Sequence, residues 1–249
     1  MKRTIIVSSI LCYLASSFSN LSFSQNAPVV DSLEKLLDKG SANHDTTRVD
    51  ILNQLCREYK SSDPEKAMEY GKQALYLSEK SLFKRGTGNS LNNLGVIYKN
   101  QGNYEKALEY YLKSQIIFEE LGNKKDAAKS LLNIGIIHNQ QGNYEKAIDY
   151  FIRSLRIKEE LVLATGDKEA KQGIANSLNN IGLVYRNQNK YDQALDYYFN
   201  ALKINEELAE KREIANSFNN IGGIFIYKEE YKKALEFYLK AMKLYQELN

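Results

Sequence analysis

Leu91-Asn92-Asn93-Leu94-Gly95-Val96-Ile97-Tyr98 is the stretch that decides the fold, because it recurs along the chain. The later copies are Leu131-Leu132-Asn133-Ile134-Gly135-Ile136-Ile137-His138, Leu178-Asn179-Asn180-Ile181-Gly182-Leu183-Val184-Tyr185 and Phe218-Asn219-Asn220-Ile221-Gly222-Gly223-Ile224-Phe225. Their central glycines are 40, 47 and 40 residues apart. A repeat of this length indicates stacked supersecondary units, each of which buries its apolar face against its neighbours.

A second block keeps the same register. It begins at Tyr104, Tyr144, Tyr191 and Tyr231, and an alanine follows three residues later at Ala107, Ala147, Ala194 and Ala234. A diverged fifth copy lies upstream, where Leu55 replaces the glycine and Ala67 keeps the alanine position. The third copy, at 127–173, has 7 residues more than its counterparts, and the extra residues lie between Leu161 and Gly173. These extra residues predict added helical turns or a longer loop.

Each copy has the pattern of a helix, a short turn and a second helix. Apolar residues recur at intervals of three and four, which is typical of amphipathic helices. Gly102-Asn103 and Gly142-Asn143 interrupt this pattern, where a left-handed stop or tight turn needs such residues. Gly95 and Ala107 are small because two helices are expected to cross closely there. No stretch has the pattern of a strand, so we predict an all-α solenoid.

These motifs resemble the tetratricopeptide repeat. The family's small residue, alanine and following aromatic residue match Gly95, Ala107 and Tyr111 and the equivalent residues of the later copies. The period of 40 is similar to that of the subgroup that includes kinesin light chains. The resemblance implies a right-handed α-solenoid of helix-turn-helix repeats. The predicted organisation is a signal peptide at 1–24, a lead-in with a short helix at 25–45, and repeats at 46–86, 87–126, 127–173, 174–213 and 214–249.

The first 24 residues have the three parts of a secretory signal peptide. Met1-Lys2-Arg3 is positively charged, an apolar run follows from Thr4 to Ala15, and Ser22 and Ser24 are the small residues that a cleavage site requires. The apolar run is shorter than the roughly 20 residues that span a bilayer. The sequence therefore predicts an exported protein, periplasmic or secreted, with no membrane span after cleavage.

Charge and residue usage argue against several function classes. The chain has 34 basic and 31 acidic residues and a net charge of +3, without the concentrated positive field of a nucleic-acid-binding protein. Cys56 is the only cysteine outside the leader, and His44 and His138 are the only histidines, so no disulfide or metal-ligand set is expected. No phosphate-binding loop or catalytic motif is complete. We predict no enzymatic activity, no cofactor, no metal site and no nucleic-acid partner.

Asparagines repeat on the first helix of the copies, although asparagine is a mediocre helix former. The first row is Asn53, Asn93, Asn133, Asn180 and Asn220; the second is Asn92, Asn179 and Asn219; the third is Asn89, Asn176 and Asn216. In tetratricopeptide repeats the first helices line a concave groove, so the resemblance implies that these amides hold the backbone of a bound peptide. The alternative is that the rows bridge neighbouring helices and specify packing.

The predicted function is a non-catalytic scaffold that binds a protein or peptide in this groove. The leader and the Gly-Asn-Tyr-Glu-Lys-Ala motif also resemble exported sensory regions of bacterial signalling proteins, in which a membrane span and a histidine-kinase or other output domain follow. The alternative function is therefore a sensory or regulatory module of a two-component-type signalling system, as a shortened relative of such a kinase.

The last helix is a second candidate surface for a partner. One face, or its border, carries Phe237, Tyr238, Ala241, Met242, Tyr245 and Leu248. If this face is exposed, it is expected to serve self-association or a membrane partner. The alternative is that the helix folds tightly onto its neighbour and leaves little apolar surface in water.

Overall fold

The computed structural model of the protein describes residues 27–38 and 44–248, and no residue of these two ranges lies in a strand. Their helices, in chain order, are α1 (Ala27–Asp38), α2 (Asp45–Tyr59), α3 (Pro64–Lys80), α4 (Lys84–Asn100), α5 (Tyr104–Glu120), α6 (Lys124–Gln140), α7 (Tyr144–Thr165), α8 (Lys168–Asn187), α9 (Tyr191–Glu207), α10 (Lys211–Tyr227) and α11 (Tyr231–Glu247). The predicted signal peptide at 1–24 lies outside the described residues. Within these ranges no helix combines the length and the apolar character needed to cross a membrane.

Capping residues and glycines set the helix ends. α3 begins at Pro64, and the Asp63 carboxylate accepts a hydrogen bond from the Lys66 N–H at 3.0 Å. The predicted turns at Gly102 and Gly142 are confirmed, with φ of +76° and +77°. Glycine adopts this left-handed conformation without the steric cost that a Cβ brings. The turn at Gly142 is short enough to bring α6 and α7 of the third copy side by side.

The described residues up to Gly102 form one compact unit. In this unit α1 packs against α2, α2 against α3, and α3 against α4. The Glu34 carboxylate on α1 accepts hydrogen bonds from the Tyr59 hydroxyl at 2.7 Å and the Tyr70 hydroxyl at 3.0 Å. This helix lies within the predicted lead-in at 25–45, and these tyrosines hold it on the first copy.

The residues from Asn103 onward form a second compact unit, in which each helix from α5 to α11 packs against the next. Its core explains the repeated glycines. A Cβ on Gly135 would lie 2.6 Å from a ring carbon of Phe151, and one on Gly182 would lie 2.8 Å from the ring of Tyr198. The prediction of a close approach is confirmed, but the space is filled by an aromatic ring of the second helix and not by the helix backbone.

The extra residues between the third and fourth copies form added helical turns, one of the two predicted outcomes. α7 has 22 residues and α8 has 20, whereas the other helices from α3 onward have 17. α7 ends at Thr165, and the C-cap residue Gly166 has φ +67°. The Asp167 carboxylate then caps α8 by accepting a hydrogen bond from the Ala170 N–H at 3.0 Å. The junction of these two longer helices lies beside α6, because Asp167 and Glu169 pair there with Lys125.

Candidate ligand-binding groove

Five of the eleven predicted groove asparagines have side-chain amides without a hydrogen-bond partner among the described residues. They are Asn89, Asn176, Asn179, Asn219 and Asn220. Asn176 and Asn219 are exposed, and the other three are half-buried. The Asn179 side-chain oxygen is itself buried. A buried acceptor without a donor costs about 1–3 kcal/mol.

Asn53 and Asn93 have the packing role that the sequence left open as the alternative. The side chain of Asn53 is 1% exposed, and its Nδ2 donates to the Gly86 carbonyl at 3.4 Å. Its Oδ1 accepts from Nδ2 of Asn93 at 2.9 Å. These bonds link α2 with α4 inside the first unit. Because Asn53 is buried and both ends of its amide are bonded, the structure places it in the core and not in a ligand groove.

Two more of the predicted asparagines form side-chain hydrogen bonds within the protein, and a further two are half-buried. Nδ2 of Asn180 donates to the carbonyl of Asn176 in the same helix at 2.8 Å. Asn216 accepts from the Tyr245 hydroxyl at 2.5 Å and donates to Glu213 at 3.2 Å. Asn92 and Asn133 are half-buried. The rows therefore divide into bonded and unbonded amides, a division that the sequence repeat does not reveal.

The last helix is covered in part. Ala241 is buried, and Phe237, Tyr238 and Tyr245 are half-buried against the rest of the second unit. Met242 and Leu248 remain 39% and 38% exposed. This arrangement lies between the two predicted alternatives, because the aromatic residues pack while the aliphatic ones stay in contact with solvent.

A cavity of about 140 Å³ lies among α6, α7 and α8 in the second unit, and we call it the lysine cavity. Its charged and polar lining includes Lys125, Lys129, Lys158, Glu169 and Asn176, and its apolar lining includes Leu132 and Leu161. Lys129 occupies the position of the third asparagine row in the one full copy that lacks an asparagine there. The cavity therefore lies on the same helix faces as the asparagine rows of α6 and α8.

Lys158 is the residue of this cavity that sequence reasoning missed. Its side chain is buried, with 6% of the residue exposed. Nζ donates to the Ser177 hydroxyl at 2.9 Å and to the Gly173 carbonyl at 3.2 Å. Burial, reinforced by the nearby charge of Lys129, lowers the pKa of the Lys158 ammonium to about 8. No carboxylate pairs with this ammonium among the residues that the structure describes.

The repeat alignment contained a signal for this site. Eleven residues after the repeat alanine, the five copies carry Ser78, Phe118, Lys158, Asn205 and Tyr245. At the equivalent place, Nδ2 of Asn205 donates to the Ser217 hydroxyl at 3.0 Å. In the third copy, the equivalent hydrogen bond to a serine of the next copy is donated by the charged ammonium of Lys158 and not by a neutral amide. The only long basic side chain in this register marks the position as unusual.

Two further lysines at the cavity are neutralised by ion pairs. Nζ of Lys125 lies 2.6 Å from a Glu169 oxygen and 3.2 Å from an Asp167 oxygen. Nζ of Lys129 lies 3.2 Å from the other Glu169 oxygen. The hydrogen bond from Lys125 lowers the pKa of the Glu169 carboxyl, so this carboxylate stays ionised. Nζ of Lys129 also lies 3.4 Å from an Asp126 oxygen. Lys158 is therefore the one lysine of the cavity lining that no described carboxylate contacts.

Burial disfavours the charged forms of both Cys56 and His138. Burial raises the pKa of the Cys56 thiol to about 12, so it remains protonated and weakly nucleophilic. The His138 ring stacks on Tyr150 with centroids 5.4 Å apart, and burial lowers the pKa of the imidazole. In residues 27–38 and 44–248, no group of three His, Cys, Asp or Glu side chains is arranged to hold a metal ion.

The family model of the tetratricopeptide repeat matches residues 50–120, 86–160 and 173–247. These segments together span most of the chain and include all the repeated blocks. None of the curated proteins compared with the sequence matches it significantly.

Solved structures share the fold. BtubC (BKLC) from P. vanneervenii is 22% identical, with a TM-score of 0.71 over 88% of this chain and 91% of that chain. The Rap protein complexed with Competence and Sporulation Factor is 17% identical, with a TM-score of 0.67 over 88% and 70%. A STAND signal-transduction ATPase with a tetratricopeptide repeat sensor, from Pyrococcus horikoshii, is 22% identical, with a TM-score of 0.68 over 85% and 32%. At these identities the likeness shows the fold, and it confirms the predicted α-solenoid class.

Proposed function

This chain belongs to the tetratricopeptide repeat family, and from that premise we propose that it is a non-catalytic scaffold that binds a protein or peptide segment along its first helices. The observation that carries the proposal is the set of unbonded asparagine amides. An amide offers one acceptor and two N–H donors, which suits the alternating N–H and C=O groups of an extended segment. The similar fold of the Rap protein, which was determined with a bound factor, supports an interaction role.

The second unit offers the clearest part of this surface. Asn179 on α8 and Asn219 on α10 occupy equivalent positions of successive copies, and Asn220 follows Asn219 in the first row. The amides of all three are unbonded within the described residues. An extended segment advances about 3.3 Å per residue, so a short peptide can contact amides on more than one copy.

Replacing Asn179, Asn219 and Asn220 together by alanine is expected to weaken peptide binding at least tenfold, because each lost hydrogen bond contributes about 0.5–1.5 kcal/mol. Helix content and stability are expected to stay at the wild-type level, since alanine is the better helix former. The measurement is the affinity of peptides selected from a random displayed library on the wild-type protein, with circular dichroism of each variant.

Asn200→Ala is the matched control, because Asn200 is exposed on the second helix α9, away from the three rows. It should leave peptide affinity unchanged. Full-strength binding by the triple variant would contradict the groove role. So would a large loss of stability in that variant, which would assign these asparagines to packing.

We also propose that the chain is exported, on the strength of the leader pattern in its first 24 residues. The expected product is a mature chain that begins at Gln25, because cleavage after Ser24 fits the small residues Ser22 and Ser24. Intact-mass measurement of the extracytoplasmic fraction tests this expectation. Replacing Ile6 and Ile10 by lysine should block export by breaking the apolar run. A wild-type product that keeps Met1 and stays in the cytoplasm would contradict the proposal.

A sensory role in a two-component-type system is the second candidate function. The leader pattern combined with the motif Gly142-Asn143-Tyr144-Glu145-Lys146-Ala147 favours it. A histidine kinase or response regulator encoded beside this chain would support sensing over a general scaffold role. Association through α11, with a second copy or a membrane partner, likewise remains a prediction.

A further inference from the structure

The lysine cavity contains one ammonium that no described carboxylate contacts. Lys125 and Lys129 share the carboxylate of Glu169, Lys125 also pairs with Asp167, and Lys129 also pairs with Asp126. The Lys158 ammonium, deeper in the fold, contacts only neutral oxygens. Placing an unpaired charge in a buried site costs several kcal/mol, so a negative partner for this ammonium would be strongly favoured.

The fold makes specific room for this lysine. A Cβ on Gly173 would lie 3.0 Å from both Cδ and Cε of Lys158, so the absence of a side chain at residue 173 leaves space for the lysine stem. The Ser177 hydroxyl and the Gly173 carbonyl then hold Nζ in position. An ammonium has three N–H donors, and these two acceptors use two of them. One donor of a fixed, buried cation is therefore available to a bound group.

The cavity is also placed where a bound segment would pass. Lys129 and Asn176 both line it, and both belong to the third row of the first helices. Leu132 and Leu161 supply apolar walls beside the charge. This combination matches a side chain with a short methylene stem and an anionic end.

We propose that the lysine cavity binds the carboxylate of an aspartate or glutamate side chain carried by the partner segment, at the junction of the third and fourth copies. This inference rests on the scaffold function proposed above and specifies the chemistry of the ligand. A carboxylate carries a single negative charge, which matches the one ammonium that no described carboxylate contacts. A phosphate group carries nearly two charges at neutral pH and would leave one of them unmatched.

The test uses a random displayed peptide library selected separately on the wild-type protein, on Lys158→Met and on Lys203→Met. Lys203 is exposed on α9 and serves as the matched lysine control. We expect an acidic residue to be enriched at one peptide position on the wild type and on Lys203→Met. We expect Lys158→Met to select peptides without this preference. Changing that acidic residue to its amide should weaken binding to the wild type by at least about tenfold and leave binding to Lys158→Met unchanged.

The outcomes separate this inference from the scaffold function. Selected peptides without an acidic preference would overturn the inference while the scaffold function stands. If no peptide is selected, the scaffold function fails, and N-acetylglutamate N-methylamide then tests the cavity directly. A shift of the Lys158 side-chain NMR signals on titration of this compound, absent for the glutamine analogue, would support a carboxylate site; no shift would overturn it. Tighter binding of inorganic phosphate than of the glutamate compound would also overturn the carboxylate assignment.

Discussion

Replacing Lys158 with methionine is expected to raise the free energy of unfolding at pH 7 by about 1–3 kcal/mol. The wild-type protein buries this ammonium, and no carboxylate in residues 27–38 and 44–248 pairs with it, whereas methionine has a similar length and no charge to desolvate. Ser177 keeps a hydrogen bond after the change, because its hydroxyl also donates to the Gly173 carbonyl at 3.1 Å. Urea-induced unfolding, followed by circular dichroism, measures the difference.

The stability gained by Lys158→Met should shrink as the pH rises. The pKa of Lys158 falls from 10.5 to about 8 on folding. Below about pH 8 both states are protonated at this group, and the wild type bears the full cost of the buried charge. Between that pH and 10.5 the folded protein sheds the proton more readily than the unfolded chain, so the cost is relieved as pH rises. The stability difference between Lys158→Met and the wild type should therefore narrow across this range.

Lys203→Met is the control for both measurements, since Lys203 is exposed and buries no charge. It is expected to change stability by less than about 0.5 kcal/mol at any pH in the range. A Lys158→Met variant that is less stable than the wild type at pH 7 would show that the ammonium is compensated in solution. A gain in stability together with lost acidic preference would show that Lys158 is retained for binding at a cost in stability.

Phe151→Ala is expected to lower the free energy of unfolding by about 3–5 kcal/mol, the largest effect of a single change proposed for this chain. The Phe151 ring is fully buried beside Gly135 and packs with Ala147, Ile181 and Val184. Its removal leaves a cavity between α6, α7 and α8, because the helix ends are held by their own caps and turns and collapse only in part. Urea-induced unfolding of the variant measures the loss.

Phe199→Ala provides a comparison with the same chemical change on the second helix of the next copy. Phe199 is 41% exposed and contacts Phe237 through a ring edge, with centroids 6.1 Å apart. Its removal should cost about 1 kcal/mol or less. Equal losses for the two variants would contradict the assignment of Phe151 to the centre of the repeat core.

The sequence by itself determined the class of fold and the helix-turn-helix pattern of a copy. The spacing of apolar residues by three and four identifies the buried face of a helix, and this pattern depends only on helix geometry. Gly102 and Gly142 mark turns because a left-handed backbone is inexpensive only without a Cβ. Repetition strengthened the apolar pattern, since it recurs in the copies. The glycine does not recur in all of them, because Asn189 and Glu229 occupy the equivalent turns of the last two copies with φ of +59°. The 7 extra residues at 161–173 were visible as well, although their division between α7 and α8 was not.

Only the tertiary structure decided what the polar residues do. Asn53 and Asn219 occupy the first and second rows of one repeated pattern, yet one amide is bonded in the core and the other is exposed. Hydrogen bonds between copies depend on which side chain the neighbouring helix brings within about 3 Å, and that distance is set by packing across the repeat. The charge of Lys158 has no partner carboxylate among the described residues, because the adjacent copy places a serine hydroxyl and a carbonyl against it. Periodicity specifies which face of a helix is buried, whereas the partners on that face follow from the differences between copies.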